Sequence, residues 1–84
     1  MSDRPLLRLY GREYCDLCQQ MRQQLLALAP QKGFALAWFD IDDDDDLEAR
    51  YTTLVPVLAG QDEEIICFYH LDARKLDAYL SRIR

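Results

Sequence analysis

Between residues 6 and 39 the hydrophobic period of the chain changes twice, from strand-like to helical and back. Leucine and tyrosine flank Arg8 in residues 6–10 and the run stops at Gly11, which predicts a strand of about five residues. From residue 15 to residue 29 the apolar positions Cys18, Met21, Leu25 and Leu28 recur at steps of three and four. Gln19, Gln20, Gln23 and Gln24 lie opposite, so the segment reads as an amphipathic helix, with Pro30 and Gly33 expected to end it. Residues 34–39 are then nearly continuously apolar, as for a strand buried on both faces. A strand, a helix and a strand in that order imply a parallel pair joined by a right-handed crossover.

The second half adds a short helix and a hairpin. Leu47, Tyr51 and Leu54 share one helical face behind an acidic start. Residues 55–59 and 64–69 read as two short strands around a turn at Gly60, Gln61 and Asp62. Asp72 is placed to cap a last helix whose apolar stripe is Leu76, Tyr79, Leu80 and Ile83. The expected order is strand, helix, strand, helix, strand, strand, helix: an α/β fold with a mixed four-stranded sheet. Helices on both faces are expected to bury Trp38, Phe39 and the pair Ile65 and Ile66.

At 84 residues the chain makes one domain, residues 1–84, with nothing left over for a second core. Its formal charge of −5 lacks the basic footprint that phosphate backbones require, so a nucleic-acid partner is not expected. No apolar run nears the roughly 18 residues of a membrane span. The polar start at Met1, Ser2 and Asp3 shows neither a charged signal start nor a cleavage site, which predicts a cytoplasmic protein. Seven of the nine residues from position 40 to 48 are acidic, among them Asp42, Asp43, Asp44, Asp45 and Asp46. Without them the chain holds ten bases against eight acids, so the acidity is local. It reads as a solvated loop and helix start. A Ca²⁺ loop lacks its glycine and its spaced glutamate here, and a basic partner surface stays open.

Three cysteines cannot all pair within one chain, and Cys15 and Cys18 are too close to staple distant parts of a fold. Cys15 stands where the first loop becomes the first helix, and Cys18 lies one turn along it, so the two sulfurs face each other. Unpaired amides and the macrodipole at a helix start favour negative charge. They lower the first thiol from about 8.5 toward about 7 or below and make Cys15 the nucleophile. Cys18, deeper and on the apolar face, is suited to attack a mixed disulfide formed on Cys15. Arg12 adds a nearby cation while Glu13 and Asp16 oppose it, and Tyr14 is placed to form one wall of a substrate groove. A Cys-x-x-Cys is also half of a zinc site, which Cys67 and His70 in Cys-x-x-His spacing would complete. Against zinc, the first pair opens a long helix and Cys67 lies in an apolar strand, where it reads as a buried small hydrophobe. A second reading is a non-catalytic adaptor whose acidic helix docks a basic partner.

With Cys15-Asp16-Leu17-Cys18 at a helix start, Val55-Pro56 at the hairpin and a closing helix, the chain resembles the short bacterial glutaredoxin-like proteins of the thioredoxin superfamily. The resemblance implies a thioredoxin-like, glutaredoxin-type fold in the order βαβ-α-ββα, and a thiol-disulfide oxidoreductase acting through Cys15 and Cys18. It places Pro56 in cis beside the sulfurs, with the Val55 backbone facing outward to pair with an extended thiol substrate. Arg12 takes the position of a lysine that contacts glutathione's carboxylate, and Asp72 that of an acidic residue at its amino end. The Gly-Gly pair expected before that acid is replaced by Cys67-Phe68-Tyr69-His70-Leu71. Implied partners are a disulfide-containing protein or a glutathione mixed disulfide, and a thiol reductant for which glutathione is one candidate. No metal or other cofactor is required, and the protein is expected to be a monomer.

Overall fold

The computed structural model describes residues 4–83, so the polar start at Met1, Ser2 and Asp3 lies outside the described residues, as does Arg84. Strand β1 (Leu6–Gly11) leads through a loop into α1 (Asp16–Lys32), and β2 (Ala35–Asp40) follows. After a 3-10 turn (Ile41–Asp43) come α2 (Asp45–Tyr51), β3 (Val57–Ala59), β4 (Ile65–Phe68) and α3 (Ala73–Ile83). The sheet order is β2-β1-β3-β4. β1 runs parallel to β2 and antiparallel to β3, and β4 closes the hairpin antiparallel to β3. This is the α/β thioredoxin-like architecture expected from the sequence.

Alternation along β1 divides the core between two layers. Leu7 and Leu9 point to one face, where Met21 and Leu25 of α1 and Leu76, Tyr79 and Leu80 of α3 join Phe34, Leu58 and Ile66. Tyr10 points to the other, against Ile41, Tyr51, Val57 and Ala59, with Leu47 and Leu54 packed around them. The Tyr10 ring lies 4.9 Å from that of Tyr51 and 5.4 Å from that of Phe39. Helices thus cover both faces: α1 and α3 on one, α2 on the other.

Three expectations need correction. Pro30 does not end the first helix but sits inside α1, which continues to Lys32 and stops at Gly33 in the left-handed region (φ 71°). Proline lacks the N–H that a helix residue gives to the carbonyl four positions back. Here that carbonyl belongs to Leu26, which lies on the exposed face of α1, and the last turn is closed by the Gly33 and Phe34 amides on the Ala29 carbonyl (2.8 and 3.2 Å). The strand read as buried on both faces is an edge strand: Phe34 is fully buried just before it, while Phe39 is 37% exposed and Trp38 half-buried under Arg22. A continuous apolar run fits an edge strand when α1 covers one face and the Tyr10 and Arg8 side chains lie along the other. The Ile pair also splits, because alternation on β4 turns Ile66 inward and leaves Ile65 at the surface. Boundaries move slightly: the β3 ladder begins at Val57, leaving Val55 and Pro56 in the preceding loop, and α2 starts earlier, at Asp45 behind the Asp44 cap.

Polar side-chain contacts tie the hairpin end of the sheet to α3, among them the pairing of Arg82 with Glu64 and the bond from Tyr79 to Asp62. Tyr79 Oη donates to Asp62 Oδ1 (3.0 Å), which also accepts from the Glu64 amide (3.2 Å). The Glu64 amide first, then the tyrosine, hold the Asp62 carboxyl below the usual carboxylate range. Its contribution to stability is therefore full above the unfolded carboxylate range near about pH 4 and is lost as the pH falls through the lower folded value. Asp62→Asn is expected to be less stable than the wild type at pH 7, with the gap closing below about pH 4. Urea unfolding of both proteins at several pH values checks this; a gap independent of pH contradicts it.

Candidate functional site

The loop after β1 returns the chain onto the end of α1. The Cys15 amide donates to the Arg12 carbonyl (3.2 Å), which closes a tight turn and sets Cys15 as the N-cap residue of α1 in extended conformation. An N-cap side chain normally offers oxygen to the first-turn amides. Here a sulfur takes that place: the Cys18 amide donates to Cys15 Sγ at 3.1 Å. Cys15 and Cys18 form a disulfide, with Cα atoms 5.1 Å apart. Cys18 is fully buried, whereas Cys15 is half-exposed. An accessible sulfur held by a helix-start amide, next to a shielded one within bonding range, is the arrangement for thiol-disulfide exchange.

Arg12 of the cysteine loop reaches the segment before β3. The Val55–Pro56 peptide is cis; Pro56 is buried and Val55 half-buried. Two side chains brace this segment. Arg12 Nη1 donates to the Thr52 carbonyl (3.1 Å), Nη2 to Thr52 Oγ1 (3.0 Å) and Nε to Asp42 Oδ1 (2.9 Å). Tyr69 Oη donates to the Thr53 carbonyl (3.0 Å), and the Tyr69 amide to the Pro56 carbonyl (2.9 Å). Tyr69 holds φ at 66°, a region L side chains rarely adopt, which costs about 1 kcal/mol or more and persists only where surrounding bonds enforce it.

The remaining sequence candidates fall out as follows. Tyr14 is 98% exposed and stands directly before Cys15. Asp72 caps α3, its Oδ1 accepting from the Arg74 and Lys75 amides (3.1 Å each). Cys67 is buried and unpaired, and burial pushes its thiol up, with the Asp72 backbone N–H opposing. His70 is exposed. Among the described residues no three His, Cys, Asp or Glu side chains come together to hold a metal, so Cys67 and His70 do not join the Cys15–Cys18 pair in a Cys3His set. A hollow of about 80 Å³ lies between the first turns of α1 and the residues after β4, walled by Leu17, Gln20, Met21, Tyr69, His70 and Leu71. A larger cavity of about 310 Å³, between β4 and α3 beside Glu64, Lys75 and Arg82, has neither cysteine of the disulfide in its walls.

Sequence reading did not find Thr52, Tyr69 or the role of Asp42. Asp42 was hidden in a run of like residues, and nothing in a tyrosine codon signals a positive φ. Because Arg12 and Tyr69 anchor the segment before β3, Arg12→Ala and Tyr69→Phe are each expected to lower unfolding free energy by about 0.5–1.5 kcal/mol. Urea titrations measure this, and two variants as stable as wild type would show that the segment is held by other means.

The chain is similar over nearly its whole length to known proteins. Residues 6–81 match the family model of the glutaredoxin-like domain (DUF836). A search of curated proteins finds no match. Among solved structures, protein Ne2328 from Nitrosomonas europaea is 34% identical, with 94% of each chain covered and a TM-score of 0.82. Protein XcR50 from X. campestris is 36% identical, covering 90% of this chain and 96% of its own at a TM-score of 0.67. Fasciola hepatica thioredoxin, 20% identical over 96% of this chain and 82% of its own, shares the fold at a TM-score of 0.67. With its cysteine pair at the head of α1, this chain belongs to the glutaredoxin-like (DUF836) family, on a thioredoxin-superfamily fold.

Proposed function

We propose that the protein is a thiol-disulfide oxidoreductase in which Cys15 is the nucleophile and Cys18 the resolving thiol. The observation that carries the reading is the Cys15 sulfur in the N-cap position, accepting the Cys18 amide at 3.1 Å and bonded to a fully buried partner sulfur. In the reduced protein the Cys15 thiolate attacks one sulfur of a substrate disulfide. A Cys15–substrate bond forms, the substrate bond breaks, and the other substrate sulfur leaves as a thiolate. Cys18, giving up its proton, attacks Cys15 Sγ; the Cys15–Cys18 bond forms and the second substrate thiolate is released. Two electrons have passed to the substrate, and an external thiol reductant returns the pair to the dithiol. No metal or organic cofactor enters these steps.

A protein disulfide is the substrate the surroundings favour. All three guanidinium nitrogens of Arg12 are engaged by Asp42 and Thr52, and one oxygen of Asp72 caps α3. Both residues assigned to glutathione by resemblance thus serve the fold. The half-buried Val55 backbone is the surface for an extended substrate segment, and exposed Tyr14 supplies an aromatic contact at the groove edge. Glutathione remains a candidate reductant. The protein works as a monomer in a reducing compartment, which we take to be the cytoplasm. Among the described residues no helix is long and apolar enough to cross a membrane.

The test compares turnover of a protein disulfide and of a glutathione mixed disulfide by wild type, Cys15→Ser and Cys18→Ser. Cys15→Ser is expected to lose both activities. Cys18→Ser is expected to lose protein-disulfide turnover by about 10²-fold, since the tethered thiol that resolves the intermediate is gone, and to accumulate the mixed disulfide. Full turnover by Cys15→Ser contradicts the assignment, and a wild type acting on the glutathione substrate alone contradicts the substrate class.

A further inference from the structure

Gly11 is the last residue of β1, ahead of the turn that leads to Cys15. Its backbone does not require glycine: among the described residues the glycine at positive φ is Gly33. Space does require it. A Cβ at position 11 would lie 2.8 Å from Trp38 Cη2, 2.9 Å from Cys18 Sγ and 3.0 Å from Cys18 Cβ, closer than carbon and sulfur tolerate. The side-chain-free face of Gly11 and the tip of the Trp38 indole are therefore two walls of the pocket that holds the buried sulfur.

We propose that Gly11 is a positioning residue for the resolving thiol, leaving Cys18 Sγ the room from which it attacks Cys15. This rests on the dithiol mechanism proposed above. The indole is a poor candidate to yield to an added methyl, because it is rigid and the Arg22 guanidinium, one turn beyond Cys18 on α1, lies 4.5 Å above its ring. The sulfur turns about a single χ1 bond between staggered wells, so it is the atom that moves. Disulfide formation demands a specific sulfur geometry, and a displacement near 1 Å is enough to slow a positioned reaction about 10²-fold. The three nearest atoms to the added carbon belong to Trp38 and Cys18, so the methyl acts first on the buried sulfur, the group that resolves.

Single-turnover reduction of a protein disulfide, quenched with acid and read by mass, separates the two steps. Gly11→Ala is expected to attack substrate within about twofold of the wild-type rate but to resolve the mixed disulfide roughly 10- to 100-fold more slowly, so that the intermediate accumulates. A folded Gly11→Ala that resolves at the wild-type rate, or that loses the first step equally, overturns the proposal. The double variant Gly11→Ala/Trp38→Phe keeps the question open to refutation if the single variant does not fold, because phenylalanine ends short of Cη2 and leaves the methyl space. The added carbon still lies 2.9 Å from Cys18 Sγ, so the double variant is expected to fold and to resolve roughly 10- to 100-fold more slowly than Trp38→Phe alone. A double variant that does not fold, or that resolves at the rate of Trp38→Phe, overturns the proposal. A wild type that reduces no disulfide removes the oxidoreductase reading itself, an outcome distinct from an active wild type with an unaffected Gly11→Ala.

Discussion

The structure turns on a sulfur in a place usually given to oxygen. At the head of α1 the Cys15 side chain caps the helix by accepting the Cys18 amide, so the group that satisfies an orphan backbone donor is also the exposed member of the cysteine pair. The amide and the helix dipole stabilise charge on that sulfur whatever the substrate. Their effect requires that α1 not move; its inward residues Met21 and Leu25 pack in one cluster with Leu7 and Leu9 of β1, and Cys18 is fully buried. Packing along the helix thus fixes an electrostatic feature at its end.

The Pro56 segment is held by a different kind of force. Only three residues of β3 are in the ladder, and the Tyr69 amide adds one backbone bond before it, to the Pro56 carbonyl. Carbonyls further back are taken by side chains from distant elements: Thr52 by Arg12 from the cysteine loop, Thr53 by Tyr69 from the end of β4. Arg12 links the two halves of the site directly, since its own carbonyl accepts the Cys15 amide while its guanidinium holds Thr52. Part of the acidic run acquires a structural use in the same network: Asp42 orients Arg12, Asp40 accepts the Asp42 amide, and Asp44 caps α2.

Much of this was legible in the sequence wherever one local signal decided the outcome. Helical spacing of Cys18, Met21 and Leu25 gave the buried face of α1, and the change of period on either side gave the parallel β1–β2 pair. Cys67 in an apolar run was rightly read as buried, and Asp72 as a cap. Signals that two environments share misled or stayed silent. An apolar run such as residues 34–39 belongs equally to a central strand or to an edge strand roofed by neighbouring side chains. Pro30 marks a helix end only when the missing hydrogen bond cannot be spared, and on the exposed face of α1 it can. The bracing by Tyr69 depends on a backbone angle imposed by tertiary contacts, and Gly11's contact with Cys18 depends on how closely a strand and a helix approach; neither has a local signature.

The helix-opening amides favour the thiolate of Cys15, and the rate of Cys15 alkylation as a function of pH in the reduced protein reads that preference. A single midpoint below the ordinary thiol value is expected. A midpoint at or above about 8.5, the value of a cysteine with no such neighbour, would contradict it.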